Sequence, residues 1–371
     1  MNEDYSAGMT VLSQAAYQSA TRVSLSPQAA AALLDKVEIR TFRDILCACA
    51  PEETLRPVLV DGLCANDPAR SRDSVDKKVR GWLNGKYQPT RREDLLELCF
   101  VLGLNAESAS AFLCMAGDEG LHWRDPREIV YGFALERGMS YPQAVRLHEQ
   151  ALSAASPTDT EAQSFTPLIR QEVQQCATEE ELLQYLRQSS AKLGSLHNSA
   201  YRQLTAMLQV LESPASLNGT GEKRYTTREV VEKYLDRHLP SLRESKALDE
   251  KKRSILADWP DEIALYRMKN RKLDVSRKVL ILLFLATDGG EEPEEDWYDE
   301  EEDADASFRS SCLRMNRMLS ECGYGMLDPR SPFDWLALYC MRVEEDSVSM
   351  DGLNERLSHV LEVLFRPAQE D

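Results

Sequence analysis

Apolar residues three and four positions apart run through nearly the whole chain, and no string alternates with period two. DLLELCFVL, EIVYGFAL, ELLQYLRQ, YRQLTAMLQVL and RLSHVLEVLF all follow this rule. A 3.6-residue period gives a helix one face to bury, whereas a half-buried strand needs alternation. Neither Asn-Gly pair sits between alternating strings: Asn84-Gly85 follows a helical string and reads as a helix end, and Asn218-Gly219 lies in a polar linker. The expected fold class is therefore all-α. Helix starts support it: Thr178 with Glu181 forms a capping box, and Asp125 before Pro126 gives a cap and a first-turn proline.

The 371 residues are enough for two to three domains. Polar stretches divide them. Residues 1–25 read as a flexible tail, and residues 153–163 (SAASPTDTEAQ) and 213–223 (SPASLNGTGEK) as linkers. This predicts a helical module over 26–152, a helical connector over 164–212 and a second helical module over 224–371. Asp288 to Asp305 holds twelve acidic residues and no Lys or Arg, so like-charge repulsion predicts a solvated loop.

The two modules echo one another. Thr41-Phe-Arg43-Asp44 resembles Thr226-Thr-Arg228-Glu229, Thr90-Arg91-Arg92 resembles Ser276-Arg277-Lys278, and Arg124-Asp-Pro126-Arg-Glu128 resembles Arg330-Ser-Pro332-Phe-Asp334. The order is kept, and the acidic stretch accounts for the longer final offset. An internal duplication explains this, and so does the chance recurrence of caps and amphipathic helices.

Several chemistries lack their residues. Cys47 and Cys49 point apart on a helix, no second Cys pair follows, and His122, His148, His197, His238 and His359 are dispersed, so no metal site is expected. Gly81 to Lys86 (GWLNGK) lacks a spacer and the hydroxyl residue of a phosphate loop, and no GxSxG occurs. Neither an enzyme nor a cofactor is expected. The nine cysteines, an odd number, read mainly as small buried thiols of a reducing compartment. The longest apolar run, Val279 to Ala286, is far short of the ~20 residues of a membrane span. With an acidic start and no apolar block behind it, the chain is expected in the cytoplasm.

One stretch departs from the acidic background. The net charge is −18, yet residues 70–92 carry eight basic residues (Arg70, Arg72, Lys77, Lys78, Arg80, Lys86, Arg91, Arg92) against Asp73 and Asp76. A helix starting near Asp73 would bury Val75, Val79 and Trp82, project Lys77, Lys78 and Arg80, and end at Gly85, with Pro89 and Thr90 setting up the next helix. A short basic helix on an aromatic anchor fits a major groove. A solvated face paired with the chain's surplus carboxylates has the same composition. A second cluster, Arg267, Lys269, Arg271, Lys272, Arg277 and Lys278, would contact the same nucleic acid or dock the acidic stretch.

Val79, Trp82, Gly85 and Pro89 match the frame with which the Xre or lambda-repressor-like helix-turn-helix family closes its recognition helix, and the string after Glu93 resembles that family's fourth helix. The resemblance spans residues 41 to about 116. It implies double-stranded DNA as partner, Lys77, Lys78 and Arg80 facing the groove, Lys86, Arg91 and Arg92 on phosphates, and a homodimer, since one short helix reads few base pairs. The residues LCANDPARSRDS before the helix are longer than the family's turn, and Leu83 stands where an acidic residue is common. The expected function is a DNA-binding regulatory protein. The alternative is an all-helical adaptor without nucleic acid, with Trp297 and Tyr298 in the acidic stretch as a docking motif for a protein partner.

Overall fold

A computed structural model describes residues 9–22, 25–154, 166–213, 224–235, 239–240, 248–287, 304–342 and 352–366. These residues are helical apart from turns and one isolated bridge between Glu119 and Tyr324. The first helices are α1 (Val11–Ala20), α2 (Pro27–Leu34), α3 (Phe42–Cys49), α4 (Glu52–Asn66), α5 (Arg72–Leu83), α6 (Arg92–Val101) and α7 (Ala106–Gly117). Next come α8 (Pro126–Glu136), α9 (Tyr141–Ala154), α10 (Thr166–Gln175), α11 (Glu179–Gln188) and α12 (Asn198–Glu212). Then follow α13 (Thr227–Val230, continuing as a π-turn to Leu235), α14 (Glu250–Leu256), α15 (Glu262–Lys269), α16 (Arg277–Ala286), α17 (Ala304–Glu321), α18 (Pro332–Met341) and α19 (Leu353–Phe365). Most of the acidic stretch, and nearly all of both linkers, lie outside the described residues; Ala304 and Asp305 open α17 and residues 153–154 close α9.

The chain divides into two units. The central unit is Arg40–Asn198 with the short return Cys322–Gly325; the split unit is Met1–Ile39, Ser199–Glu321 and Met326–Asp371. These boundaries correct the sequence reading in two places. Residues 11–20 are not a tail: α1 packs on α18 within the split unit, where the Trp335 indole N–H donates to the Ala16 carbonyl (3.2 Å) and to Ser19 Oγ (3.0 Å). The connector is not one body either, since α10 and α11 belong to the central unit and α12 to the split unit. Packing decides both cases, because α2 finds its apolar partner in α19, more than 300 residues away in sequence.

In the central unit, α3 to α7 surround Phe42, Leu46, Leu59, Trp82, Leu96 and Phe112, all buried. Phe42 meets Trp82 edge-on at 5.9 Å and Phe112 at 6.2 Å, the offset geometry that aromatic quadrupoles favour. Gly62 of α4 lets α6 approach, since a Cβ there would lie 2.6 Å from Val101. Helices α8 and α9 close the other side of α6. In the split unit, α16 holds the apolar run recognised in the sequence and is buried all round apart from the half-buried Lys278. A helix apolar on every face belongs inside a bundle, and α17, α18 and α19 cover it. All ten residues of α18 are buried.

Candidate functional site

Helix α5 buries Val75, Val79, Gly81 and Trp82 and exposes Lys77, Lys78 and Arg80. It begins at Arg72, slightly earlier than its periodicity suggests. Its end is a Schellman-type stop: the Gly85 N–H donates to Trp82 O and the Lys86 N–H to Gly81 O, both at 3.0 Å, with Gly85 at φ 65°. Gly81 admits the Tyr87 ring, which a Cβ would strike at 2.3 Å. Pro89 is buried in the connection to α6, and the N-cap of α6 is Arg91 rather than Thr90. The turn between α4 and α5 is Asp67–Ser71, held by the Arg70 guanidinium on both oxygens of the buried Glu97 (2.8 and 3.0 Å).

The basic cluster is largely paired. Arg72 meets Asp61 at 2.6 Å, Lys78 meets Asp94 at 3.2 Å, and Arg91 lies 3.7 Å from Glu93. Asp76 bridges Arg80 (2.9 Å) and Arg56 (2.8 Å), and the Arg56 hydrogen bond holds its carboxyl below the usual carboxylate range. Lys78 also stands over the Trp82 ring at 5.1 Å. Lys77 and Lys86 are exposed, with no ion-pair partner among the described residues. The acids come from α4, α6 and α5 itself, so a window of residues 70–92 conceals most of the neutralisation.

Arg92 is a correction, because its side chain is committed inward. It forms a bidentate pair with Glu128 at N3 of α8, both bonds 2.9 Å, and donates to the carbonyls of Glu119 (2.7 Å) and Gly120. Glu128 Oε2 also accepts the His122 N–H at 2.8 Å. The group is therefore a clamp joining the start of α6 to residues 119–128, and a phosphate would have to displace a carboxylate from a low-dielectric site.

The split unit holds the same bonds. Arg277, at N1 of α16 as Arg92 is at N1 of α6, pairs bidentately with Asp334 at N3 of α18 (2.8 and 2.7 Å). It also donates to Met326 O at 3.0 Å, and Asp334 Oδ2 accepts the Asp328 N–H at 2.8 Å. Gly120 and Met326, His122 and Asp328, and Glu128 and Asp334 are each 206 residues apart. At that spacing the Leu121 N–H donates to Ser110 Oγ (3.1 Å) and the Leu327 N–H to Asn316 Oδ1 (2.8 Å). Arg124 and Arg330, also 206 apart and both buried, each donate to backbone carbonyls: Lys192 and Leu196 for the first, Glu38 and Ile39 for the second. Trp123 lies under Arg170 at 5.6 Å.

The helix stop recurs as well, 186 residues on. The Arg271 N–H donates to Met268 O and the Lys272 N–H to Arg267 O, both at 2.8 Å, with Arg271 at φ 54°. Thr41 with Asp44 and Thr226 with Glu229 each make a full reciprocal capping box. Helix α15 thus has the frame of α5. In the second basic cluster, Lys269 pairs with Glu212 (2.6 Å), Arg271 covers Tyr201 (4.6 Å), Lys278 donates to carbonyls ending α14, and Arg277 is in the clamp. Arg267 and Lys272 are exposed, with no ion-pair partner among the described residues.

Among the described residues no group of His, Cys, Asp and Glu is placed to hold a metal, and no helix is long and apolar enough to cross a membrane. All nine cysteines are free thiols, five of them buried, and burial pushes Cys340 and Cys312 up to about 12. A cavity of about 200 Å³, lined by Trp123, Phe133, Glu136, Arg137 and Val173, lies in the central unit, below the ~300 Å³ of ordinary ligand pockets. His122 and His197 stack at 3.9 Å, and burial, with His197, Arg124 and Arg92 adding, holds His122 neutral well below the usual imidazole range. No family model, no curated protein and no solved structure matches the chain.

Proposed function

We propose that the α3–α7 bundle binds double-stranded DNA through the outer face of α5 and the loop behind it. The observation that carries this reading is the exposed pair Lys77 and Arg80 on a short helix fixed from below by Val79 and Trp82 and ended by Gly85, with exposed Lys86 just past that end. Lys78 and Arg91 add exposed ion pairs worth little in water, which phosphate oxygens replace at low cost. Arg92 leaves the footprint and, like Arg70, acts as an internal tie. The acidic remainder opposes non-specific attachment. A helix of this size reads a half-site, so the reading expects a homodimer on a palindromic site.

Fluorescence anisotropy on duplex DNA at ~50 and ~200 mM salt tests this. Four to five phosphate contacts per subunit give a salt exponent of about −4 for one bound subunit, a loss of roughly 250-fold over that range, and about −8 for the homodimer. The variant Lys77→Ala/Arg80→Ala/Lys86→Ala is expected to weaken binding on every sequence and to flatten the exponent by about 3 per subunit. A folded wild type that ignores DNA at ~50 mM salt sinks the reading.

The second reading, an all-helical adaptor without nucleic acid, is favoured by the pairing of six of the eight cluster cations with carboxylates. We also infer that the two units descend from one duplicated helical module. The recurring clamp, helix stop and capping box support this better than chance caps do, because the clamp joins residues that no local motif links.

A further inference from the structure

We propose that the exposed face of α15 is a docking surface for the chain's own acidic segment, residues 288–303. On α15, Ile263 and Tyr266 are 68% and 58% exposed, three residues apart and therefore on one face. Arg267 lies beside them and Lys272 just past the helix stop, both exposed and with no ion-pair partner among the described residues. An apolar pair flanked by two open cations suits an anionic peptide that also carries aromatic rings.

The segment has that chemistry. Residues 288–303 hold eleven acidic residues, no Lys or Arg, and Trp297-Tyr298 as their only aromatic residues. Its position suits the surface too. It leaves at the end of α16, the helix that follows α15 after a short connection, and rejoins the chain at Ala304 of α17. Helix α16 is ten residues long, about 15 Å, and the ten residues from Thr287 to Trp297 reach at most ~35 Å, enough to return along it. Tethering gives a local concentration on the order of mM, so contacts too weak to hold a free peptide suffice. The proposal is independent of the nucleic-acid reading, since α15 belongs to the split unit and none of its residues is in the α5 footprint.

Zero-length carbodiimide cross-linking of the full chain, with peptide mapping by mass spectrometry, tests this. The expected product joins Lys272 to a carboxylate of residues 291–302 within one molecule, with a yield unchanged by tenfold dilution. Lys77 and Lys86, also exposed, serve as controls and are expected to link at least fivefold less. Ile263→Ser/Tyr266→Ser, and separately Trp297→Ser, are expected to cut the Lys272 product at least fivefold. These positions are exposed or outside the described core, and circular dichroism checks the fold. Replacing 290–302 with a Gly-Ser linker of equal length is expected to speed amide exchange over residues 266–272. The proposal is overturned by absence of the Lys272 product, by equal linking at Lys77 and Lys86, by a yield that falls on dilution and so belongs to a second copy, or by α15 protection that appears only on adding DNA.

Discussion

Helix α5 ends on Gly85 at φ 65° and α15 on Arg271 at φ 54°, each through the same pair of backbone bonds to the last helical turn. Behind both, an arginine at the first position of the next helix grips a carboxylate at the third position of a proline-started helix. The outward surfaces then diverge. Where α5 shows Lys77 and Arg80, α15 shows Ile263 and Tyr266, whereas Lys86 and Lys272 keep a positive charge at matching places. The difference teaches that the frame and the surface answer to separate constraints. Buried charge pairs and caps tolerate little change, because half a pair left in the interior is costly. An exposed side chain contributes little to stability and is available to whatever the surface meets.

The clamps give the largest test of that comparison. The Arg277 and Asp334 side chains are 8% and 2% exposed, those of Arg92 and Glu128 24% and 9%. Removing one partner of a buried pair costs about 3–5 kcal/mol. Arg277→Ala is expected near the top of that range and Arg92→Ala at or below its bottom, read by urea unfolding with amide exchange assigning the loss to one unit. Equal losses would break the claim that the clamps differ in depth. The helix anchors come next. Trp82→Ala is expected to cost about 3–5 kcal/mol, and Met268→Ala, a smaller side chain with more ways to collapse, about 2–3 kcal/mol. If Met268→Ala is silent, α15 is not held as α5 is.

Half of this frame was visible in the sequence. Val79 and Trp82 follow from spacing, Gly85 from the Asn-Gly pair at the end of a helical string, and Thr41 and Thr226 head one of the echoed strings. These are local signals. The clamp is not local: Arg92 and Glu128 are 36 residues apart, and an arginine in a basic run looks like its neighbours. A trace of it was present, since both Arg-x-Pro echoes carry an acid two residues after the proline, at Glu128 and Asp334. The same limit hid the neutralisation of the cluster by Asp61, Glu93, Asp94 and Glu97, which lie outside any window drawn around the cations or at its edge. Helix α1 was missed for another reason. It buries Ser13, Ala16 and Ala20, which make no apolar stripe, because small residues let it lie close to Trp335.

The two helix stops sharpen the comparison further. A Cβ on Gly85 meets Thr41 at 3.8 Å, ordinary contact, so Gly85→Ala isolates the cost of a side chain in the left-handed region, about 1 kcal/mol. Arg271→Gly removes that strain but loses the contact with Tyr201, worth about 0.5–1 kcal/mol. The two oppose each other, so the stability gained in urea unfolding is expected to fall short of the ~1 kcal/mol that Gly85→Ala loses. A gain of the full ~1 kcal/mol would show that the side chain of Arg271 contributes nothing.

The smallest effect concerns the residue whose N–H joins each carboxylate: His122 in the central unit and Asp328 in the split unit. Burial keeps folded His122 neutral well below the usual imidazole range, and its Nε2 has no hydrogen-bond partner among the described residues. The unfolded chain takes up a proton near pH 6.5 that the folded chain refuses. The central unit therefore keeps its stability above that pH and loses it as the pH falls through it. His148, also held low by burial, acts in the same direction. His122→Phe keeps the ring against His197 and removes one of the two titrations. Between pH 7.5 and 5.5 the variant is expected to lose less stability than wild type, by amide exchange within residues 92–135. The split unit, with Asp328 at the matching place, is expected to show no change on this substitution. If the pH response of the central unit is the same in wild type and variant, His122 titrates alike in both states and the buried histidine stack contributes nothing to the difference between the two units.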